Sequence, residues 1–246
     1  MKNNNEIKLL GISASPRHGN SEFLLGKAIN GAKLVMGIKV KTELYSFVNK
    51  TFNPCISCFY CHKSGECKQQ DDFKDLMDKW FAADAIVYSV PVYHLGMPAQ
   101  LKAFIDRLGS CYFSRGAGKP IKTMKVIGTI AQGCHIFSGQ EHTIEELNNH
   151  SILMGGIPVA GDLWESYTGV GAWTDTDIGR GALEKLYKRD DRLAVVSVNS
   201  ATQLGKRVVI LSAIVKSGIQ MNLEIIGNDP AYSLILSKII KGGSSK

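Results

Sequence analysis

The stretch that most constrains the fold is Gly11–Ser21, which reads GISASPRHGNS. It lies between the apolar run Ile7–Ile12 and an apolar-periodic segment that begins at Phe23. This pattern predicts a strand, a tight polar loop and the start of a helix. Backbone N–H groups at the beginning of a helix have no intrahelical partner, and the helix dipole adds partial positive charge there. The stretch therefore predicts an anion site suited to a phosphate group.

Several side chains of this stretch could hold a phosphate. Serine and asparagine can donate hydrogen bonds, and Arg17 can bind phosphate oxygens in bidentate fashion, while Pro16 stiffens the turn and Gly19 permits close approach. The candidate phosphate-binding residues are Ser13, Ser15, Pro16, Arg17, Gly19, Asn20 and Ser21. The alternative is an ordinary β–α turn in which Asn20 or Ser21 caps the helix. Neither GxGxxG nor GxxxxGK[ST] is present, which argues against the usual dinucleotide and triphosphate sites.

Strands and helices are predicted to alternate along the chain. The predicted strands are Ile7–Ile12, Ile38–Tyr45, Ala85–Val90, Lys125–Ile130 and Ile157–Asp162, and the later helices are Pro98–Ser110, Gln140–Leu153, Ala182–Tyr187 and Ala201–Ser217. Such alternation indicates a parallel sheet with right-handed crossovers. The second strand alternates like a half-exposed edge strand, so we predict an α/β, flavodoxin-like, doubly wound sheet of five strands ordered 2-1-3-4-5. Its ligand should bind at the carboxyl ends of the strands.

The length and composition favour a single domain. A chain of 246 residues with 44% hydrophobic residues can bury one sizeable core, so residues 1–246 are interpreted as one domain with a core at residues 7–218. Residues 219–246 are expected to form a C-terminal helical extension, whose amphipathic tail Ala231–Lys241 could dock on the body or on a partner subunit. The Gly-rich stretch Gly161–Asp191 breaks the alternation and is interpreted either as a lid over the site or as a long surface excursion.

The composition also excludes several classes of partner. No apolar run approaches the ~20 residues that span a bilayer, and the N-terminal MKNNNEIK lacks the apolar segment of a secretory signal. We therefore expect a cytoplasmic protein with no membrane partner. The net charge of +7 is spread along the chain without a nucleic-acid-binding motif, so it favours anionic cofactors and no nucleic-acid partner is predicted.

Four of the six cysteines fall within thirteen residues, with the spacing C-x2-C-x2-C-x5-C. These candidate metal ligands are Cys55, Cys58, Cys61 and Cys67. Three thiolates in one turn region and a fourth shortly after can converge on the corners of a cubane cluster. Zinc usually takes two knuckles with a longer spacer, a thiol–disulfide pair would leave two cysteines unexplained, and the thiols could also stay reduced and empty. The remaining two, Cys111 and Cys134, are predicted to pack as small hydrophobic residues.

Two further loops follow predicted strands and should open onto the same crevice as Gly11–Ser21. The first contains Pro91, Val92, Tyr93, His94, Leu95, Gly96 and Met97, where an aromatic ring could stack beside a planar heterocycle. The second contains Gly133, His135, Gly139 and Gln140, whose glycines permit close approach to a ring edge and whose polar side chains could bond its rim. The alternative for both is an ordinary loop, with Tyr93 and His94 half-buried and Gln140 in the first turn of a helix.

Taken together, these loops and the cysteines resemble the NAD(P)H-dependent FMN reductase superfamily, and most closely its iron–sulfur flavoproteins. The matching segments are GISASPRHGNS, CISCFYCHKSGEC followed by DD, SVPVYHLGMPAQLKAFIDR and GCHIFSGQE, within residues 8–218. The resemblance implies FMN with its phosphate on Ser13–Asn20, its isoalloxazine against Pro91–Met97, and a 4Fe-4S cluster on the four cysteines. The third loop departs from the family's common basic, Gly-Gly pattern, because Ile136-Phe137-Ser138 stands there.

The expected activity is that of an FMN-dependent oxidoreductase in which the flavin carries the chemistry, so no catalytic side chain is assigned. Electrons would pass between NAD(P)H or ferredoxin and an acceptor through FMN and the cluster. One alternative is a cluster-free NAD(P)H-dependent FMN or quinone reductase, and another is a non-enzymatic redox sensor or electron carrier. A homodimer or homotetramer is expected to bring one chain's cluster near its partner's flavin, with Val208–Ile214, the tail Ala231–Ile240, Trp164 and Trp173 as candidate interface residues.

Overall fold

The computed structural model describes residues 6–116, 119–163 and 166–243. Its strands are β1 (Glu6–Ser13), β2 (Lys39–Ser46), β3 (Ala85–Pro91), β4 (Val126–Gly133), β5 (Ile157–Pro158) and β6 (Val170–Trp173). Its α-helices are α1 (Asn20–Lys33), α2 (Tyr60–Ser64), α3 (Phe73–Ala82), α4 (Ala99–Arg115), α5 (Gln140–Leu153), α6 (Ala182–Tyr187), α7 (Arg192–Met221), α8 (Leu223–Ile226) and α9 (Ser233–Gly243). No helix within these ranges is long and apolar enough to cross a membrane.

The strands form a parallel sheet in the order β2-β1-β3-β4-β5, which confirms the predicted flavodoxin-like topology. The register aligns the strands at their carboxyl ends, because Ser13 pairs with both Ser46 and Ser89, and Pro91 pairs with Gln132. The loops after β1, β3 and β4 therefore leave the sheet at one edge, which is where ligands of doubly wound folds bind.

The fifth strand position differs from the prediction. Of Ile157–Asp162, only Ile157 and Pro158 pair with β4, opposite Val126 and Ile127. The second half of β4 pairs with β6, so that Gly133 lies opposite Trp173. The strand β6 lies inside the stretch Gly161–Asp191 that was interpreted as a lid or a surface excursion. Its four residues, VGAW, are too few to produce a clear alternation, and they become a strand because β4 offers an unpaired edge.

Helices cover both faces of the sheet, as a doubly wound fold requires. One face is covered by α3, α4 and α5, where Trp80, Phe104 and Leu147 are fully buried. The other is covered by α1 and α7, where Leu24 and Leu204 are fully buried. Burying large apolar side chains of this kind contributes about 1.5–3 kcal/mol each.

Helix α7 begins at Arg192, nine residues before the predicted start at Ala201. The Asp191 carboxylate accepts hydrogen bonds from the amides of Leu193 (3.1 Å) and Ala194 (3.0 Å), which satisfies the first turn. The early turns carry Ser197 and Ser200, which read as polar but lie buried against the body. Because small polar residues occupy these core positions, the apolar periodicity of the sequence begins later than the helix does.

Two glycines set the distance between α1 and α7. A Cβ added at Gly205 would overlap the backbone carbonyl of Ala28, and one added at Gly31 would overlap that of Thr202. We expect Gly205→Ala to destabilise the protein by about 1–3 kcal/mol, because neither helix backbone can yield without losing its own packing. Gly218→Ala is the matched control in the same helix, since its Cβ would meet nothing within 4 Å, and it should stabilise the protein by about 0.5–1 kcal/mol. Chemical denaturation of both variants measures the difference, and equal midpoints would contradict the expectation.

The candidate interface residues divide between the chain's own core and its surface. Within α7, Val208 and Val209 are buried against the body whereas Ile210 and Ile214 are exposed, and Trp173 belongs to β6. The tail packs on its own body, since Leu234 contacts the core beneath α3 and the Lys122 amide donates to the Ala231 carbonyl at 2.7 Å. Trp164 and the side chain of Ile240 lie outside the described residues. The homo-oligomer therefore remains a prediction.

A buried polar group beside β3 predicts how stability depends on pH. The Trp80 indole donates to the Tyr88 hydroxyl at 2.8 Å, and His150 Nε2 lies 3.3 Å from that hydroxyl. Burial lowers the pKa of His150 from 6.5 to about 4. The unfolded chain therefore takes up this proton first, so His150 adds stability above pH 6.5 that is lost as the pH falls toward 4.

Between pH 7.5 and pH 5 we expect His150 alone to reduce the free energy of unfolding by about 2 kcal/mol. Urea unfolding at the two pH values measures the loss. The variant His150→Gln keeps an acceptor for the Tyr88 hydroxyl but does not titrate, so subtracting its pH dependence removes the contribution of the carboxylates. An identical pH dependence in both proteins would show that His150 is not the group responsible.

Candidate functional site

A crevice opens at the carboxyl edge of the sheet and is lined by four chain segments. The loop after β1 contributes Ser15, Arg17, Gly19, Asn20 and Ser21, and the end of β3 contributes Pro91, Val92 and Tyr93. The end of β4 contributes Gln132, Gly133 and Cys134, and the segment after β6 contributes Thr174, Asp177, Ile178, Gly179 and Arg180. Nine of the predicted site residues therefore lie in one wall. The other nine do not line it; they are Ser13, Pro16, His94, Leu95, Gly96, Met97, His135, Gly139 and Gln140.

The loop after β1 leaves the N-terminus of α1 available to an anion. No side chain of the described residues caps this helix, which begins at Asn20. The Asn20 amide oxygen instead accepts a hydrogen bond from the Leu183 amide at 3.0 Å. The Ser15 hydroxyl accepts from the Arg17 amide (3.3 Å) and donates to the Arg17 carbonyl (2.6 Å), which holds the loop in a tight turn. The capped-turn alternative therefore lacks its cap.

Two buried polar atoms at this edge have no hydrogen-bond partner within the described ranges. They are Ser13 Oγ at the end of β1 and Trp173 Nε1 at the end of β6. Neither residue lines the crevice itself, although buried polar groups are nearly always paired in native proteins. The donors that the crevice offers to a phosphorylated cofactor are the uncapped helix N-terminus and the Arg17 side chain.

The loop after β3 is a tight turn with unusual backbone angles. Tyr93 and Gly96 exchange backbone hydrogen bonds of 2.9 and 3.1 Å, and the two residues between them, His94 and Leu95, have φ values of 49° and 69°. Left-handed conformations at non-glycine residues cost about 1–3 kcal/mol each and cluster at ligand sites. The Glu146 carboxylate accepts from the Met97 amide at 3.1 Å and anchors the end of the loop to α5.

The loop after β4 is organised by Gln140. Its amide nitrogen donates to the carbonyls of His135 (2.6 Å) and Ala172 (3.2 Å), and its amide oxygen accepts from the Ser138 amide at 3.1 Å. The polar atoms of the Gln140 side chain therefore bond within the protein, while the His135 side chain is exposed at the surface of the loop. Cys134 lines the crevice and is only half-buried, unlike the core position predicted for it. The departing residues Ile136 and Phe137 point outward, and Phe137 is 95% exposed.

The segment Thr174–Arg180 is a part of the site that the sequence reasoning missed. The Arg17 guanidinium donates to the Ile178 carbonyl at 2.9 Å, and the Thr176 amide donates to the Cys134 carbonyl at 2.9 Å. These bonds tie the segment to the loops after β1 and β4. The signal that could have found it is the polar run TDTDIGR directly after VGAW, since this segment follows a strand as the other three loops do.

The four cysteines line a second, smaller cavity beside α4. Cys55, Cys58, Cys61 and Cys67 all face it, together with Arg107, Ser110 and Cys111 of the helix. The chain turns sharply around it, since Ser57 and Phe59 adopt left-handed conformations with φ of 50° and 55°. Over the described part of the chain, however, no three metal-ligating side chains stand close enough to form a ready-made metal site. The donor set fits a cluster in number and chemistry, and its sulfurs would have to converge on binding.

The thiols of this cavity differ in how easily they ionise. Burial and the neighbouring thiols raise the pKa of Cys61, although its own backbone amide opposes the change. Burial raises the pKa of Cys111 to about 12, so this fully buried thiol stays protonated and packs as a small hydrophobic residue, as predicted. Because metal ligands must be deprotonated, a metal bound at Cys61 would displace the proton of this thiol.

The doubly wound fold and the strand-end crevice together define a flavodoxin-like protein. The model of the family described as NADPH-dependent FMN reductase matches residues 7–166. An iron–sulfur flavoprotein of Methanocaldococcus jannaschii is 31% identical over 217 residues, which cover 85% of this chain and 100% of that protein. An iron–sulfur flavoprotein of Methanosarcina thermophila is 36% identical over 157 residues, covering 63% of this chain and 78% of the relative.

Among solved structures, the crystal structure of RosB with bound 8-demethyl-8-formylriboflavin-5'-phosphate has a TM-score of 0.59 at 15% identity, covering 98% of this chain and 88% of RosB. That likeness concerns the fold. The chain belongs to the NADPH-dependent FMN reductase family and, within it, to the iron–sulfur flavoproteins, which confirms the resemblance. It is therefore a flavin-dependent oxidoreductase with FMN as its cofactor.

Proposed function

We propose that this protein passes electrons between a reduced donor, NAD(P)H or ferredoxin, and an acceptor, with FMN in the strand-end crevice and a 4Fe-4S cluster on Cys55, Cys58, Cys61 and Cys67. The observation that carries the proposal is that one chain presents both a phosphate-accepting crevice and a cavity lined by all four cysteines. FMN exchanges electrons in pairs or singly, and a 4Fe-4S cluster exchanges one at a time, so the two together convert hydride chemistry into single-electron transfer.

The residues of the crevice divide the work of holding FMN. Ser15, Arg17 and the first amides of α1 bind the phosphate, for which they supply neutral and charged donors. Pro91, Val92 and Tyr93 supply the apolar and aromatic surface against the ring. Gly133 is required by the packing of the loop after β4, since a Cβ there would overlap the side chains of Ser138 and Gln140. The walls exclude water from the ring and fix its orientation.

The protein is proposed to act in the cytoplasm as a homodimer or homotetramer. The exposed side chains of Ile136 and Phe137 beside the crevice support assembly, because large apolar side chains at a site mouth favour a covering partner. A two-fold axis would bring one chain's cysteine cavity toward its partner's flavin twice over. Sedimentation at micromolar concentration tests this, and a monomer that still reduced its cluster at full rate would contradict it.

A second candidate function is a cluster-free NAD(P)H-dependent quinone or flavin reductase. The observation that favours it is that the four sulfurs do not form a ready-made metal site over the described residues. Steady-state turnover with NADH or NADPH and a quinone, compared with turnover by reduced ferredoxin, separates the two candidates. Absence of turnover in both assays would instead indicate a non-enzymatic redox sensor or electron carrier.

The role of Arg17 provides a direct test of the FMN site. We expect Arg17→Ala to weaken FMN binding by about 10- to 100-fold, because a charge-assisted hydrogen bond contributes about 1.5–3 kcal/mol. Fluorescence titration of the apoprotein with FMN measures the dissociation constant, and titration with riboflavin, which has no phosphate, should show no such loss. Arg189→Ala is the control, since Arg189 is also exposed but lies outside the crevice wall. Equal losses for FMN and riboflavin would place Arg17 away from the phosphate.

A further inference from the structure

Arg107 is a buried arginine whose guanidinium meets both ends of the cysteine loop. Its side chain is 1% exposed and forms an ion pair with Asp71, whose side chain is 2% exposed. Nη1 and Nη2 donate to the two carboxylate oxygens at 2.6 and 2.9 Å, in bidentate fashion. Nη1 also donates to the Asn53 carbonyl at 3.1 Å, and Nε donates to Cys67 Sγ at 3.3 Å. One side chain therefore contacts the residue two before Cys55 and the sulfur of the last cysteine.

Asp71 completes the base of the loop. Its carboxylate accepts the Asn53 amide at 2.8 Å and the Phe73 amide at 3.2 Å, in addition to Arg107. Burial opposes ionisation of Asp71, but the hydrogen bonds from Arg107, Asn53 and Phe73 outweigh it and hold the pKa of this carboxyl below its usual value. The two charges are thus a fixed pair, and the guanidinium also lies over the Phe73 ring at 4.2 Å.

We propose that Arg107 is a positioning residue of the cysteine site: it holds Cys67 at the cavity wall and, through its N–H donor to the sulfur, raises the reduction potential of the cluster bound there. This inference rests on the proposed function, since it concerns that cluster. Reduction adds negative charge to a cluster and its sulfurs, and a hydrogen bond to a ligand sulfur stabilises the reduced form more than the oxidised form. Because the Asp71 carboxylate neutralises the guanidinium, the effect rests on the N–H donor to the sulfur.

The contact between Arg107 Nε and Cys67 Sγ is not part of the ion pair between Arg107 and Asp71. Replacing a buried ion pair with apolar residues is often neutral or stabilising, so the pair is not explained by stability alone. Arg115, two turns further along α4, shows the contrast. Its Nε lies 3.5 Å from the Gly65 carbonyl, so it reaches the same loop through backbone only. It provides a matched control on the same helix.

The test compares three variants after anaerobic reconstitution. The double variant Asp71→Asn with Arg107→Met removes the pair as a unit and leaves no lone buried charge, Arg107→Lys keeps a charge without the rigid fork, and Arg115→Gln is the control. Bound FMN and iron per chain are counted, and the cluster potential is measured by redox titration followed by electron paramagnetic resonance. We expect the equilibrium between the oxidised and reduced cluster to shift toward the oxidised form by at least tenfold in the double variant. For a one-electron couple this corresponds to a reduction potential about 59 mV lower than that of the wild type. Arg107→Lys should recover part of this shift, and Arg115→Gln should match the wild type.

Each outcome decides. A lowered potential, or loss of iron from the double variant with FMN still bound and Arg115→Gln still loaded, supports the proposal. An unchanged potential and spectrum in a fully loaded double variant overturns it, as does an equal change in Arg115→Gln. Variants at position 107 that fail to bind FMN, or that have lost cooperative unfolding, would show that Arg107 has only a structural role. That result also overturns the proposal. A wild-type protein that takes up no iron would contradict the proposed function, and this result is distinct from any change confined to the Arg107 variants.

Discussion

Replacing Cys58 by alanine is expected to reduce the iron of the reconstituted protein from about four atoms per chain to nearly none, with FMN still bound. Cys58 lines the cavity with the other three cysteines, and a cubane cluster needs a thiolate at each corner. The side chain is exposed, so the iron-free variant should match the stability of the iron-free wild type within about 0.5 kcal/mol. Iron and FMN counts on the same sample, with unfolding monitored separately, measure the effect.

Cys134→Ala is the control for this experiment, because Cys134 lines the flavin crevice and not the cysteine cavity. It should keep about four irons. Retention of iron by Cys58→Ala would contradict the assignment of Cys58 as a cluster ligand. Iron lost equally from both variants would indicate a general sensitivity to cysteine replacement, which also contradicts a four-cysteine site.

The second large effect is expected for Gly139→Ala. Gly139 precedes α5 with φ of 100°, and a Cβ at this position would overlap the backbone of Leu95. The two loops at the ring side of the crevice therefore meet backbone to backbone, and alanine would both strain its own backbone and push the loop after β3 away. We expect FMN affinity to fall by at least about tenfold and stability by about 1–3 kcal/mol.

Titration with FMN and thermal unfolding measure the two effects of Gly139→Ala. Gly109→Ala provides the control, since a Cβ there would meet no described atom within 4 Å and the residue lies within α4. It should bind FMN normally and gain about 0.5–1 kcal/mol of stability. Wild-type affinity in Gly139→Ala would show that the loop after β3 does not depend on this contact.

The order of the sheet was predictable from the sequence because it depends on local patterns. Continuous apolar runs marked β1, β3 and β4 as central, and the alternation in β2 marked it as an edge, which fixes the order once crossovers are right-handed. Helix α5 was predicted with its observed bounds, Gln140–Leu153. The loops at the crevice followed from the same logic, since parallel strands end at one edge.

What the sequence by itself determined is thus the fold and the edge of the sheet at which the crevice opens. Tertiary structure decided the rest, because the deciding contacts join residues far apart in the chain. The strand β6 exists only because β4 leaves an edge for it, and it carries Thr174–Arg180 into the crevice wall. Arg107 reads as one more charge on an amphipathic helix, and only its burial against Asp71, 36 residues away, directs an N–H group at Cys67.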